Sequence, residues 1–331
     1  MKILVIRFSS IGDIVLTTPI VRCLKEQLPN VEIHYLTKKQ YIPVLQANPY
    51  ITKIQLYKEN FRELVPKLKA ERFDRIIDLH KNIRSHYIRF CLRKPATSFP
   101  KVNFQKWLMT RWKIDLLPPI HLVDRYFKAV EPLGIRNDGN GLDYFLPDPG
   151  QFSVYERFPD LTGRFIAIAI GARHATKIYP AAKVSELCDL LPLPAILLGG
   201  KEDMARGEEI IRITRAKVFN ACGLLTLNES VSVIFQAVQV ISNDTGMMHI
   251  AAALKKPVIS LWGNTIPGFG MYPYFPEECS HLSTLVEVKS LSCRPCSKLG
   301  YPECPKKHFD CMEKIDPKAV VEAVRLVNSE Q

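Results

Sequence analysis

Three short segments of this 331-residue chain carry side chains that could act together on one substrate. The richest is Ser242-Asn-Asp-Thr-Gly-Met-Met-His249, which leads into Pro257-Val-Ile-Ser-Leu-Trp-Gly263. A buried strand ends at Ser242 and a helix begins at Asp244, Thr245 and Gly246. Free backbone N–H groups and the positive end of the helix dipole therefore meet whatever lies above the turn. His249 falls one turn into that helix, close enough to face the same ligand. Asp244 alone reads equally well as an ordinary N-cap; two further segments give it more meaning. One is Phe8-Ser-Ser-Ile-Gly-Asp13, the loop after an apolar strand, where Gly12 allows close backbone approach and Asp13 supplies a carboxylate. The other is Gly171-Ala-Arg-His-Ala-Thr-Lys177, in which Lys177 suits a phosphate as a point charge and Thr176 can donate a hydrogen bond. A related unit, Ala195-Ile-Leu-Leu-Gly-Gly-Lys-Glu-Asp203, leaves Glu202 free to accept from ribose hydroxyls.

Each of these segments leaves the end of an apolar, strand-like run. In open α/β sheets, ligands bind beyond the carboxyl ends of the strands. Strands are expected over 2–7, 31–36, 53–56 and 74–79, and again over 165–170, 195–198, 238–242 and 258–262. Helical stretches alternate with them, as in parallel sheets. One helix should be capped by Thr18, with Pro19 at its first position, and end before Pro29; another should start near Pro180. Neither phosphate-facing loop reads GxGxxG, so an ordinary dinucleotide fingerprint is absent. The length is about twice that of a typical domain. The turn-rich stretch 137–150 marks the expected boundary, giving domains 1–150 and 151–331, with the linker complete by Gly163. A last helix over 317–328 is expected to cross back onto the first domain.

Taken in order, these motifs resemble the lipopolysaccharide heptosyltransferases of glycosyltransferase family nine. The matching residues are Arg7-Phe-Ser-Ser-Ile-Gly-Asp13 with Thr18-Pro19, Asp78-Leu-His-Lys-Asn-Ile-Arg-Ser85, Thr176-Lys-Ile-Tyr-Pro180 and Asp244-Thr-Gly-Met-Met-His249. The resemblance implies a GT-B fold, an α/β architecture of two Rossmann-like doubly wound domains facing across a cleft. It implies inverting, metal-independent transfer of a heptose from ADP-heptose to the inner core of lipopolysaccharide, a lipid A-Kdo-type acceptor. Asp13 would be the general base and Lys177 the diphosphate contact. The donor-side set comprises Gly171, Thr176, Lys177, Glu202, Leu225, Asp244, Thr245, Gly246 and His249. On the acceptor side stand Ser9, Ser10, Gly12, His80, Lys81, Asn82 and Arg84. The chain departs from the family pattern at Lys81, where Gly is usual, and at Gly263-Asn264-Thr265, where Gly-Pro-Thr is usual.

Charge is unevenly distributed. Residues 1–150 hold 25 Lys and Arg against 14 Asp and Glu, whereas the remainder is almost balanced at 20 against 19. Nine basic residues and no acidic one lie between Asp78 and Asp115, interleaved with Tyr87, Phe90, Phe99, Phe104, Trp107 and Trp112. Such a segment suits an anionic lipid surface, with cations on phosphates and rings at the interface. Nucleic acid could be tracked by the same residue types, but a phosphorylated lipid acceptor favours the membrane. No apolar run approaches the roughly 20 residues that span a bilayer, and Arg7 interrupts the first apolar stretch. The expected place is therefore the cytoplasm, peripheral on the inner face of the inner membrane. No cofactor is required by this chemistry. Cys293, Cys296, Cys304 and Cys311 cluster near His308 and are candidates for a structural zinc, a labile disulfide or free thiols. Rival functions are a GT-B enzyme using another nucleotide sugar or glycan acceptor, or a non-catalytic basic binding module.

Overall fold

A computed structural model describes residues 1–148, 150 and 152–329, without side-chain detail for 325–329. Pro149 and Gln151, in the expected linker, lie outside the described residues. Eleven strands are described, and all of their pairings are parallel. The first sheet contains β1 (Lys2–Ile6), β2 (Glu32–Thr37), β3 (Lys53–Leu56), β4 (Arg75–Asp78) and β5 (Ala96–Ser98), in the order β3-β2-β1-β4-β5. The second contains β6 (Ile166–Ala169), β7 (Ala195–Leu198), β8 (Val218–Asn220), β9 (Gln239–Asn243), β10 (Val258–Trp262) and β11 (Ser283–Glu287), in the order β11-β10-β9-β6-β7-β8. Central strands such as β1, aliphatic after Lys2, and β6, aliphatic throughout, are almost wholly buried, as strands must be when helices cover both faces of a parallel sheet. Chain order reverses direction between β1 and β4 in the first sheet and between β6 and β9 in the second. These are the topological switch points at which open α/β sheets place ligands.

All eight expected strands are present. Sequence reading missed β5, β8 and β11. Each is an edge strand, only partly buried, so it lacks the continuous apolar run that identifies its neighbours. The helix Thr18–Gln27 starts one residue earlier than expected, with Thr17 rather than Thr18 at its N-cap. Thr18 instead donates to the carbonyl of Val15 and accepts from the Asp143 amide.

The chain forms two compact units, Met1–Lys101 with Ile120–Pro147, and Val102–Pro119 with everything from Asp148 onward. Val102–Pro119 therefore groups with the second unit, not with residues 1–150. Its anchors are specific: Lys113 Nζ donates to the carbonyls of Cys293 (3.0 Å) and Pro295 (2.8 Å), and the Lys106 ammonium lies 5.1 Å from the Phe269 ring centre. The last helix spans Pro317–Ser329. It packs on the helix Ala181–Leu190 and on β10, with Val320 and Val324 fully buried in the core of the second unit.

Candidate active site

In the first unit the site is built on the ends of β1 and β4. Phe8 leaves β1 into the core, and Asp13 falls in the first turn of a short helix, Ile11–Val15, where a loop had been expected. Arg7 sits immediately after β1 and is buried. Its guanidinium donates to the carbonyls of Ser9 (2.8 Å) and Leu79 (2.6 Å) and forms an ion pair with Asp13 (2.7 Å). The other carboxylate oxygen of Asp13 accepts from the Ser10 amide (3.1 Å) and hydroxyl (2.8 Å). Burial alone would raise the Asp13 pKa; Arg7 and the Ser10 donors outweigh it and hold the carboxyl below its ordinary range. The group is thus ionised and fixed, with 21 % of its side chain still open to a substrate.

Asp78 ends β4 and is fully buried. It accepts from the amides of His80 (3.0 Å) and Lys81 (2.7 Å) and from the Ser85 hydroxyl (2.8 Å), which shapes the loop before the helix Ile83–Leu92. Asn82 caps that helix by accepting from the Ser85 amide. Lys81 has φ of +50°, a left-handed conformation that glycine adopts most readily. Here the Asp78 contact and a bond from Lys81 Nζ to the Phe99 carbonyl (2.9 Å) hold it. His80 lies 4.6 Å from the Phe8 ring, and burial followed by the nearby Arg7 charge lowers its pKa to about 3. Its imidazole is therefore neutral, and Nδ1 is buried with no hydrogen-bond partner among the described residues. Arg84 is half exposed and 3.6 Å from Glu59. Lys101, which sequence reading passed over, donates to the Lys81 carbonyl (2.7 Å), and its pKa is lowered by burial and then by Arg7. Ser9, Ser10, Gly12, Asp13, His80, Lys81, Asn82 and Arg84 all lie on the carboxyl edge of the first sheet at its switch point. The result is a partly open carboxylate, Asp13, and a neutral imidazole, His80, among several cations.

In the second unit the carboxyl edge carries a lysine–aspartate pair beside the start of a helix. Asn243, the last residue of β9, donates to the Ile170 carbonyl (3.0 Å) and accepts from the Tyr179 amide (3.2 Å), tying β9 to the chain beyond β6. That tie brings Lys177 Nζ within 2.5 Å of the Asp244 carboxylate, whose same oxygen accepts from the Thr265 hydroxyl (2.7 Å). The helix Gly246–Ala253 begins directly above, and its N-cap Thr245 makes no side-chain capping bond. The first-turn amides of this helix thus receive no side-chain cap from Thr245. His249 lies within the helix and is buried. Thr176 is also buried; its hydroxyl is engaged with the backbone of Tyr301, donating to the carbonyl and accepting from the amide (2.8 Å). A side chain at Gly171 would collide with the Asp203 carboxylate, which itself accepts from Gly200 and Arg206. Burial pushes the Asp203 pKa up. Glu202 is exposed beyond the end of β7, and Leu225 is half buried just before the helix Leu227–Gln236. Sequence reading missed Thr265, 21 residues from Asp244; a hydroxyl in the loop after a central strand was the available signal.

Residues 61–301 match the family described as glycosyltransferase family 9 (heptosyltransferase). The chain belongs to that family. It is 27 % identical over 281 residues to lipopolysaccharide heptosyltransferase 3 of Escherichia coli strain K12, covering 77 % of this chain and 80 % of the relative. Among solved structures, it is similar to E. coli ADP-heptose lps heptosyltransferase II, with a TM-score of 0.76 at 21 % identity and full coverage of both chains. A glycosyl transferase family 9 structure from Veillonella parvula gives a TM-score of 0.79 at 22 % identity, covering all of this chain and 98 % of that one. The fold is GT-B, and this family 9 member is a glycosyltransferase.

The family 9 chain also carries the cysteine-rich segment. Cys293, Cys296, Cys304 and Cys311 are free thiols, and among the described residues no three Cys, His, Asp or Glu side chains are arranged to hold a metal. The segment also braces the loop that follows β10. Buried Arg294 donates to the carbonyls of Gly263 (2.6 Å) and Thr265 (2.9 Å) and pairs with Glu287 (2.9 Å), while the Cys296 amide donates to the Asn264 carbonyl. Among the described residues, no helix is long and apolar enough to cross a membrane.

Proposed function

We propose that this enzyme transfers a heptose from ADP-heptose to the phosphorylated, lipid-linked inner core of lipopolysaccharide, with inversion and without a catalytic metal. The observation that carries the reading is the Asp13 carboxylate, held ionised by Arg7 and Ser10 yet open to solvent on one side. The family match and relatives named as heptosyltransferases support the sugar. Asp13 takes the proton of the acceptor hydroxyl as its oxygen bonds to the anomeric carbon. The bond from that carbon to the diphosphate oxygen breaks on the opposite face, through an oxocarbenium-like state. Charge grows on the departing ADP, and Lys177 with the amides at Thr245 and Gly246 stabilises it. Lys177 is placed for this only after it exchanges Asp244 for phosphate. The sequence contains no Asp-x-Asp pair of the kind that binds a metal–diphosphate, which favours the metal-free course. His80, Lys81, Asn82 and Arg84 would hold the acceptor. The basic, aromatic residues between Asp78 and Asp115 would keep the enzyme peripheral on an anionic cytoplasmic membrane face.

The test is a transfer assay with ADP-heptose, UDP- and GDP-sugars, with and without inner-core acceptor and EDTA. The expected result is acceptor-dependent release of ADP alone, unchanged by EDTA. Turnover that prefers UDP or GDP sugars, proceeds without acceptor or needs a divalent metal would overturn the corresponding part of the reading.

A further inference from the structure

A cavity of about 200 Å³ opens in the first unit where the helices Phe61–Ala70 and Ile83–Leu92 end. Its floor is the rim of the hydrophobic core, formed by the buried side chains of Leu68, Phe73 and Leu92. Around it stand Lys69, Arg72, Arg93 and Lys94, all exposed, and no acidic side chain lines it. The carboxylates nearest in sequence are engaged elsewhere, Glu71 by Lys53 (2.6 Å) and Gln55 (2.9 Å) and Asp74 by the Lys2 amide (2.7 Å). Helix dipoles favour a cation at each C-terminus, but they do not account for four like charges around an apolar floor. These ends lie at the opposite edge of the sheet from Asp13, because the helices run antiparallel to the strands they connect.

A second feature joins the cavity to the active-site edge. On the helix Ile83–Leu92, Ile83, Tyr87 and Phe90 are spaced i, i+4 and i+7 and so share one face. They are 88 %, 47 % and 72 % exposed. The helix is about 15 Å long; its first residue adjoins the acceptor loop His80-Lys81-Asn82 and its last lines the cavity.

We infer that the cavity seats the phosphate headgroup of an anionic bilayer lipid, with the Ile83, Tyr87 and Phe90 stripe settled into the membrane interface. The inference deepens the proposed function, resting on its lipid-linked acceptor: a bilayer held along this helix presents that acceptor beside Asp13. Charge complementarity selects the anionic headgroup. Phe73 in the floor is 1 % exposed and offers no open ring face, and the stripe begins with an isoleucine 88 % exposed; both suit lipid better than the bases of a nucleic acid, which need rings to stack on.

The test is sedimentation of the full chain with vesicles of phosphatidylcholine, alone or mixed with phosphatidylglycerol. The variant combines Arg72→Asn, Arg93→Asn and Lys94→Gln; Asn is chosen because Arg72 and Arg93 have φ of +54° and +50°. Each basic residue near an anionic surface contributes about fivefold to partitioning, so the variant should bind mixed vesicles about a hundredfold more weakly. A charge-matched control, Arg164→Gln with Arg212→Gln and Arg215→Gln, should lose far less. A second readout needs no variant: half-buried Cys91 lines the cavity, and mixed vesicles should protect it from alkylation, mapped by peptide mass spectrometry. Equal loss in the control, or protection of Cys91 by inorganic phosphate or RNA as strong as by vesicles, would overturn the lipid assignment. Vesicle binding is read without donor or acceptor, so a failure of the transfer chemistry leaves this test standing. Turnover of the variant on a deacylated, soluble acceptor should match the parent.

Discussion

Each sheet places an aspartate on its carboxyl edge beside the switch, Asp13 after β1 and Asp244 after β9, and each meets a cation, yet the two pairs are built differently. Arg7 is locked by two backbone carbonyls as well as by Asp13, so its charge cannot leave. Asp13 is consequently a permanent carboxylate whose geometry is set before substrate arrives. Lys177 has Asp244 as its one ion-pair partner among the described residues, while Asp244 also receives the Thr265 hydroxyl. An ammonium on a flexible stem can exchange one anion for another; a guanidinium forked into the backbone cannot. The same strand-loop-helix device thus yields a fixed ion pair in one unit and an ion pair free to exchange in the other, which is what the proposed base and phosphate contact require.

The sharpest way to break this comparison is to delete the fixed carboxylate. Asp13→Ala should fold, since the residue is partly exposed, but lose about 10²–10⁴-fold in kcat, the usual cost of removing a general base. Near-parental turnover in a coupled ADP-release assay would remove Asp13 from the chemistry. Lys177→Ala should follow at about 10²–10³-fold in kcat, the range for one preorganised donor to a developing charge. A rise in donor KM with kcat intact would instead show that Lys177 binds ground state and transition state alike.

These roles were unequally legible in the sequence. The central strands announce themselves as apolar runs, and Asp13, Lys177 and Asp244 lie in the segments that follow such runs, so the fold and the sheet edge on which these three residues fall could be read from local pattern. Partnership could not. Arg7 looks like a polar interruption of a strand until its contacts with Leu79 and Asp13 are seen, and Lys101 becomes part of the acceptor edge only through the loop carrying Lys81. Thr176 reads as a phosphate donor, but its hydroxyl holds Tyr301, 125 residues away. Arg294 clamps carbonyls about 30 residues distant within a segment that attracted attention for its cysteines. Contacts of this kind depend on three-dimensional closure, on which hydropathy and spacing are silent.

A pH profile sharpens the fixed half of the comparison. Because Arg7 and Ser10 hold Asp13 below its ordinary value, protonation sets in only below about pH 4, the reference for an aspartate. Activity should therefore be level through pH 5 and fall only as acid reaches that lowered pKa. With a pKa near 3, His80 should add no step near pH 6.5. Arg7→Gln removes the main cation while leaving burial, which raises the carboxyl pKa; the acidic limb should then move above pH 4 and cost several-fold at pH 5 relative to pH 7.5. An unmoved limb would mean that Arg7 positions the loop without setting the charge of Asp13.

The exchangeable half is tested by the smallest change. Thr265→Val keeps the shape of the side chain and removes the hydroxyl that shares the Asp244 carboxylate with Lys177. With that competitor gone, Asp244 interacts more strongly with Lys177, and releasing the lysine to an incoming diphosphate becomes harder. One neutral-to-charged hydrogen bond is worth about 1.5 kcal/mol or somewhat more, so donor KM should rise roughly tenfold while kcat changes little. The decisive comparison is made in a Lys177→Met background, where no ammonium remains to be released and Thr265→Val should have almost no further effect on KM. An undiminished effect there would place Thr265 in direct contact with the donor and refute the exchange.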